Sequence, residues 1–339
     1  MYRKSVYNIT RVTVIVAGIL WFCGANVAAE RVIVRVFEAA DIHFAPERAA
    51  SASADDITAS DNGREISRTI ELPSFDSTVT ITARLAIHPI PMDALSVHDK
   101  WDRAGNVRLA VPGQADIEIV KFITAYGGFT EYEVDVSHLA PLLAGTCTIT
   151  AFIDTWVSPA WTMDFELEFQ TDTNRVAPVW IYGLLYEPSF DREHMADTGV
   201  AVAVNVPPGL DRVMLHYYVS GHCTDGRGAD EFEPKDNVIA VDDVVVYRFR
   251  PWRDDCRRFR AINPYTKRWS DGYWSSDYSR SGWCPGDIVA PLELDLSDHL
   301  TGGDHSLRFR IEDIRPKDSD GNYGYWRVSA FLVGYSLAK

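Results

Sequence analysis

Four short segments of the sequence place acidic or arginine side chains beside aromatic rings. They are Lys100-Trp101-Asp102-Arg103, Ile153-Asp154-Thr155-Trp156, Ala229-Asp230-Glu231-Phe232, and the run from Asp277 to Gly286, which includes Arg280 and Trp283. Aromatic faces stack on the apolar side of sugar rings, whereas carboxylates and guanidinium groups hydrogen-bond hydroxyls or move protons. Together the four segments favour a sugar-binding site whose acids can transfer protons.

Each segment also has a simpler explanation when it is taken alone. Trp101 and Trp156 could belong to a hydrophobic core, and Asp102 could pair with Arg103 or cap a turn. For any single residue we favour the simpler explanation. The occurrence of all four segments at the ends of predicted strands is the stronger evidence for a site.

Other common catalytic signatures are absent from the sequence. It has no Gly-x-Ser-x-Gly, His-Glu-x-x-His or Cys-x-x-Cys motif and no phosphate-binding glycine loop. Its 9 histidines include no His-x-His pair, which argues against a zinc or copper site. The stretch from Asp318 to Asn322 resembles part of a calcium loop, but the remaining ligands are missing and a hairpin turn is expected. We therefore expect neither a metal nor another cofactor.

The elements that must position these residues are predicted to be strands. Short runs of β-branched and aromatic residues alternate with Gly, Pro, Asn and Asp, as in antiparallel sheets. The clearest runs cover residues 32–37, 79–87, 117–124, 131–136, 148–153, 163–169, 178–186, 200–206, 212–219, 238–249, 289–294, 307–311 and 325–333. Six or more strands in each half fit two β-sandwiches of the jelly-roll type.

Length and composition set the domain organisation. A chain of 339 residues exceeds the size at which one hydrophobic core usually keeps growing. A polar stretch near Asn174 fits a linker, so we predict domains at residues 30–174 and 175–339. Residues 46–65 are rich in Ala, Ser and Asp, and we interpret them as a mobile surface loop. Residues 251–286 form a long aromatic loop of the kind that is usually functional.

The first 29 residues have the pattern of a secretory signal peptide. Basic residues accompany an apolar run from Val12 to Ala25, and small residues end at Ala29, where we predict cleavage. The run is shorter than the roughly 20 apolar residues that span a bilayer. We expect a secreted or periplasmic protein without stable membrane association. The formal net charge of -15 argues against nucleic acid as a partner, although solubility alone also explains it.

Export would permit disulfides among the four cysteines beyond the signal segment. These are Cys147, Cys223, Cys256 and Cys284. Four cysteines allow three pairings, and their spacing does not choose between them.

In order and approximate spacing, several segments resemble the peptide-N-glycosidase F family. The segments are Trp101-Asp102-Arg103 with Asn106-Val107, Phe122-Ile123-Thr124, Glu133-Val134-Asp135-Val136, Asp154-Thr155-Trp156, and Arg280-Ser281-Gly282-Trp283-Cys284-Pro285-Gly286. The resemblance covers most of the chain from about Thr78 to Val333. It implies an all-β protein with two adjacent antiparallel jelly-roll sandwiches, a cleft at their interface, and a Cys256–Cys284 disulfide.

The resemblance also implies an activity and roles for residues. The family hydrolyses the glycan–asparagine amide of N-linked glycopeptides or glycoproteins, which makes such a molecule the expected partner of what we expect to be a monomer. Asp102 would be the principal catalytic group, Glu231 would assist it, and Asp154 would be a third acid. The expected substrate contacts are Trp101, Arg103, Trp156, Arg280 and Trp283.

Departures from the family pattern leave alternatives open. Asp154 stands where the family has Glu, His222 stands where it has Trp, and the cysteine pairs near Asp102 and around Glu231 are absent. The first alternative is a glycan-binding protein that has lost catalysis. The second is a glycosidase that cuts between sugars. A copper monooxygenase of related architecture is a third, and the missing histidine pairs argue against it.

Overall fold

The computed structural model describes residues 31–47, 56–75, 78–172, 174–195, 198–225 and 229–336. The predicted signal peptide lies outside the described residues. Within these ranges, 17 strands form four sheets that are antiparallel throughout. In the same ranges no helix combines the length and apolarity needed to cross a membrane.

Nine strands build the N-terminal sandwich. They are β1 (Arg31–Ile42), β2 (Ile57–Ser60), β3 (Glu65–Leu72), β4 (Val79–Pro89), β5 (Ala104–Leu109), β6 (Ile117–Ile123), β7 (Thr130–Asp135), β8 (Gly145–Ile153) and β9 (Trp161–Thr171). One sheet has the order β1-β9-β4-β7 and the other β2-β3-β8-β5-β6. Alternate residues of β4, such as Ile81 and Leu85, are buried between the sheets, as period-two patterning requires.

Eight strands build the C-terminal sandwich. They are β10 (Trp180–Asp191), β11 (Val200–Val206), β12 (Arg212–Cys223), β13 (Asn237–Val241), β14 (Val244–Phe249), β15 (Leu292–Asp295), β16 (Gly303–Ile311) and β17 (Gly324–Tyr335). The sheet orders are β10-β17-β12-β15 and β11-β16-β13-β14. One α-helical turn, α1 (Arg192–Met195), follows β10. The predicted all-β architecture with two adjacent sandwiches is confirmed.

The two sandwiches pack directly against each other. Every residue of β6 is buried, because one face of this strand lies in the N-terminal core and the other meets the C-terminal domain. Across that contact, Lys121 Nζ donates to the carbonyl oxygen of Arg327 at 2.9 Å. Ser329 Oγ donates to Glu118 Oε2 at 2.6 Å. Buried polar pairing of this kind fixes the relative position of the two sheets that border the cleft.

Two expectations about local structure are wrong. Within the predicted mobile loop 46–65, residues 57–65 form β2, a tight turn at Asp61–Gly63 and the start of β3. The predicted strand 238–249 is a hairpin of β13 and β14, whose turn residues Asp242 and Asp243 have φ values of 49° and 66°. Backbone pairing of β2 with β3 and of β3 with β8 orders the first segment, and two residues with positive φ reverse the second. The predicted domain boundary at Asn174 falls between β9 and β10.

Candidate active site

A cleft of about 1210 Å³ lies between the two sandwiches. Its wall contains residues of both domains. All eight predicted acid, arginine and tryptophan side chains line it: Trp101, Asp102, Arg103, Asp154, Trp156, Glu231, Arg280 and Trp283. The structure therefore brings together residues that are up to 182 positions apart in the sequence.

Asp102 lies two residues before β5, in a turn that a buried carboxylate organises. Asp99, which is fully buried, accepts hydrogen bonds from Thr155 Oγ1 at 2.6 Å and from the backbone nitrogen of Trp101 at 3.2 Å. It also binds the Arg103 guanidinium through two contacts of 2.9 and 3.1 Å. Arg103 thus lines the cleft but is held by Asp99. Asp99 was not among the residues predicted from the sequence.

Glu231 ends a 3₁₀ turn that follows β12, Ala229–Glu231. The preceding Asp230 is fully buried and has a φ of 25°, a conformation that costs free energy for a non-glycine residue. Its carboxylate accepts hydrogen bonds from Trp326 Nε1 and from the backbone nitrogen of Arg315, both at 2.9 Å. A Cβ on Gly324 would lie 1.6 Å from Asp230 Oδ2, so the glycine makes room for this turn.

Arg280 connects the two acids. Its Nε lies 3.2 Å from Glu231 Oε1 and its Nη2 lies 3.8 Å from Asp102 Oδ2. The Arg280 side chain is 1% exposed, and its guanidinium carbon lies 5.1 and 4.7 Å from the ring centroids of Phe232 and Trp283. A buried cation shared by two carboxylates fixes their separation and offsets their repulsion.

The long loop of residues 251–286 holds Arg280 in place. Arg280 Nη2 donates to the carbonyl oxygen of Ser275 at 2.7 Å, and Nη1 donates to that of Tyr278 at 2.9 Å. The structure contains the Cys256–Cys284 disulfide that the resemblance implies. Trp283 is only 3% exposed and packs against Arg280, so it offers little surface to a ligand.

The environment of the acids changes their proton affinity. Burial raises the pKa of Glu231 to about 7, while Arg280 opposes the rise and Asp102 adds to it. Burial also raises the pKa of Asp102, against the effects of Arg280 and of a hydrogen bond from Tyr126. Two acids this close titrate as a pair. The site can therefore hold and release a proton near neutral pH.

Asp154 lines the same cleft but has different partners. It follows β8, and its backbone nitrogen donates to the carbonyl oxygen of Ala104 at 2.9 Å. Its carboxylate accepts a hydrogen bond from Arg64 Nη1 at 3.0 Å and pairs with Arg327 from the other domain. Arg280 is not among its ion-pair partners in the described residues. The three predicted acids thus divide into a pair joined by Arg280 and a separate acid held by two other arginines.

Several other cleft residues were not predicted. Tyr126 hydrogen-bonds Asp102, and Cys223 Sγ lies 3.4 Å from Glu231 Oε2. His222 stacks against Trp283 at a centroid distance of 5.3 Å, and burial lowers its pKa well below the usual value, so its ring is neutral. Tyr126 lies just beyond a predicted strand end and could have been identified by position. Nothing in the local sequence marks Cys223.

The rim of the cleft carries exposed aromatic rings. Trp101, Trp156 and Trp269 are each more than half exposed, although such residues are usually at least partly buried. The ammonium group of Lys267 lies 5.5 Å from the Trp101 ring centroid. Exposed indole faces beside buried acids provide surfaces on which sugar rings can stack. Among the described residues, no cluster of three or more His, Cys, Asp or Glu side chains could hold a metal ion.

Comparisons with known proteins agree on one family. The family models described as "Peptide-N-glycosidase F, N terminal" and "Peptide-N-glycosidase F, C terminal" match residues 112–169 and 190–333. Peptide-N(4)-(N-acetyl-beta-D-glucosaminyl)asparagine amidase F of Elizabethkingia miricola is 25% identical over 256 residues, 70% of each chain.

Solved structures show the same fold. A PNGF-II structure superposes with a TM-score of 0.81 at 25% identity, covering 91% of this chain and 66% of that one. Recombinant PNGase F gives a TM-score of 0.71 at 19% identity, covering 90% and 96%. This chain thus spans 66% of the PNGF-II chain that it matches. With both halves matched by the N- and C-terminal family models, the chain belongs to the peptide-N-glycosidase F family of N-glycan amidases.

Proposed function

We propose that this protein hydrolyses the amide bond between an N-linked glycan and its asparagine, releasing an aspartyl peptide and a glycosylamine. The observation that carries the proposal is the constellation of Asp102, Arg280 and Glu231 in the cleft. It offers two acids with raised pKa values and a buried cation between them. Membership of an amidase family supports the choice of an amide as the bond that is cut.

Hydrolysis of a secondary amide requires an activated water, stabilisation of the tetrahedral oxyanion and a proton for the leaving nitrogen. The water oxygen bonds to the amide carbon, and the bond from that carbon to the sugar amine breaks. One water proton passes to the departing nitrogen. In our proposal Asp102 orients and activates the water, Glu231 positions it and shares its protons, and Arg280 stabilises the developing charge.

The remaining cleft residues would recognise the substrate. Trp101 and Trp156 present exposed faces that suit the apolar side of pyranose rings. Asp154 would hold the proximal sugar or the peptide. Arg103, which is fixed by Asp99, would keep the Asp102 turn in position beside the bound substrate.

Export is a further part of the proposal. Residues 1–29 would direct secretion or periplasmic localisation and be removed. The Cys256–Cys284 disulfide supports an oxidising compartment. Because one chain forms both walls of the cleft, we expect the mature protein to act as a monomer. N-terminal sequencing of the protein recovered from the export compartment tests the cleavage site.

Substitution of Asp102 by Asn tests the catalytic assignment. The variant keeps the size of the side chain but cannot carry the negative charge, so we expect at least a 10²-fold loss of turnover, about the contribution of one general base. Turnover is measured by the mass of a glycopeptide before and after incubation. Asp243→Asn is the matched control, since Asp243 lies in an exposed turn and is 84% exposed. Full activity of folded Asp102→Asn would contradict the assignment.

One observation favours an inactive glycan-binding protein as the second candidate. The carboxylate of Asp154 is occupied by Arg64 and Arg327 and is one methylene shorter than the Glu that the resemblance implies. The two candidates differ in the mass assay. Binding of a glycopeptide in calorimetry without any change in the mass of its asparagine would favour the binding protein.

A further inference from the structure

Arg64 lies on the cleft wall immediately before β3, in a region that the family models do not match. Three contacts of its guanidinium reach the Asp61 turn, Asp154 and Trp156. Nη2 donates to Asp61 Oδ1 at 2.7 Å, and Nη1 donates to Asp154 Oδ1 at 3.0 Å. The guanidinium carbon also lies 4.4 Å from the ring centroid of Trp156. One planar group thus joins a turn, an acid and an exposed indole.

The indole of Trp156 is supported on part of its surface and open on the rest. The ring of Phe44 lies 5.3 Å from it, and the backbone nitrogen of Phe44 donates to the carbonyl oxygen of Val157 at 2.9 Å. Even so, 59% of Trp156 is exposed, and it lines the cleft. An exposed indole that follows a strand end needs such support to keep one orientation.

We infer that Arg64 is a positioning residue that holds Trp156 as a sugar-binding platform and keeps Asp154 beside it. The inference rests on the proposed function. A pyranose ring stacks on the exposed part of the indole, and the guanidinium that contacts the indole restricts its motion before the substrate arrives. Binding then costs less conformational entropy. Arg64 therefore sets the affinity for the glycan and has little effect on the chemical step.

The chemistry of arginine accounts for all three contacts. A guanidinium is planar, stacks on aromatic faces and directs hydrogen bonds in its own plane toward carboxylates, whereas an ammonium group stacks poorly. Arg64→Lys would retain the charge beside Asp154 but lose most of the planar contact with Trp156. The effect of this conservative substitution thus separates support of the indole from simple charge pairing.

The test measures KM and kcat separately for glycopeptide hydrolysis. We expect Arg64→Ala and Trp156→Ala each to raise KM about tenfold, the effect of losing one cation–π or stacking contact, with kcat changed less than about twofold. The double variant should be little worse than either single variant, since the two residues act as one unit. Arg68→Ala is the control, because Arg68 lies nearby in β3 and donates to the Val36 carbonyl oxygen at 2.9 Å.

Three outcomes would overturn the inference. They are an unchanged KM for folded Arg64→Ala, multiplicative effects in the double variant, and an equal rise in KM for Arg68→Ala. A merely structural role for Arg64 would lower thermal stability without a selective change in KM. If Arg64→Ala does not fold, Arg64→Lys decides: a raised KM supports the inference and a wild-type KM contradicts it.

The same variants keep this inference separate from the proposed function. Glycopeptide affinity is measured by calorimetry in the Asp102→Asn background, where no turnover is required. If wild-type protein proves unable to cut glycopeptide, a loss of affinity in Arg64→Ala still supports the platform. If cutting depends on Asp102 while Arg64→Ala binds normally, only the inference about Arg64 fails.

Discussion

At the scale of single residues, the site depends on acids that have been removed from water. Asp102, Glu231 and Arg280 could be selected from the sequence because each stands among aromatic residues in a segment that the family resemblance covers. Arg64 and Asp99 could not be selected in this way. Arg64 contacts residues that are distant in the sequence, and the contacts of Asp99 with Trp101 and Arg103 form only when the turn folds. The local sequence identifies the residue type, whereas burial in the folded protein sets the pKa of its acidic group.

Titration of the acid pair gives a prediction at this scale. Because burial raises the pKa of Glu231 from 4.5 to about 7, and the ionised form positions the water, kcat/KM should increase with pH through a limb near neutrality. With an unperturbed carboxyl, the rise of kcat/KM would have its midpoint near pH 4.5. The pH profile of kcat/KM is the measurement, and Glu231→Gln should abolish the limb along with most activity. A profile that is flat from pH 5 to 8 would contradict this role.

At the scale of elements, strands were easier to predict than the turns that carry the chemistry. Strands β4 and β17 have strong apolar periodicity, and both were predicted with small errors at their ends. β2 was missed because it lies in a stretch whose composition resembles a loop, and its order comes from pairing with β3, which in turn pairs with β8. The Asp230 turn has no local signature, since its backbone conformation is stabilised by Trp326 and Arg315 from a later part of the chain.

The glycine beside that turn gives a prediction at the scale of elements. In Gly324→Ala the new Cβ would meet Asp230 Oδ2 at 1.6 Å, so the Asp230 side chain must move and Glu231 must move with it. We expect about a 10²-fold fall in kcat, the typical result of misplacing a catalytic group by about 1 Å. Gly113→Ala is the comparison, because no atom lies within 4 Å of its added Cβ.

Both variants are assayed for kcat and for thermal stability. The positive φ of 76° at Gly113 should cost about 1 kcal/mol of stability without affecting turnover. Equal activity of Gly324→Ala and the wild type would show that the Asp230 turn does not position Glu231.

At the scale of the whole molecule, the cleft exists because two sandwiches are held in one relative position. β6 and β12 contribute to both the domain cores and the contact between them. Lys121, which is 3% exposed, lies in this contact, and burial lowers its pKa to about 8. Two domains could be predicted from chain length and strand number. Their mutual orientation could not, because it depends on buried side chains that meet across the contact.

Two stacked histidines at the domain contact give a prediction for the whole molecule. His138 and His216 have ring centroids 4.4 Å apart, and burial lowers their pKa values from 6.5 to about 4 and about 3. Asp135 favours and Arg175 opposes the charged form of His138. Below pH 6.5 the unfolded chain binds more protons than the folded one, so stability falls as pH drops from about 6.5 toward 4.

At pH 5 each histidine should cost about 2 kcal/mol of stability relative to pH 7. Denaturant unfolding between pH 7 and 5 measures the loss. His216→Phe should flatten the pH dependence by about half, and substitution of the exposed His299 by Gln is the matched control. An identical pH dependence in wild type and His216→Phe would rule out this source of acid sensitivity.

The mass of the deglycosylated peptide shows whether the protein cuts the glycan–asparagine amide. A denatured N-glycoprotein is incubated with the mature protein in water enriched in heavy oxygen, and its peptides are weighed. We predict that each glycosylated asparagine becomes aspartate. The change adds about 1 Da to the asparagine peptide in ordinary water, and the enriched water places heavy oxygen in the new carboxylate. An asparagine that keeps one sugar, or a glycopeptide that is bound but unchanged, would contradict this prediction.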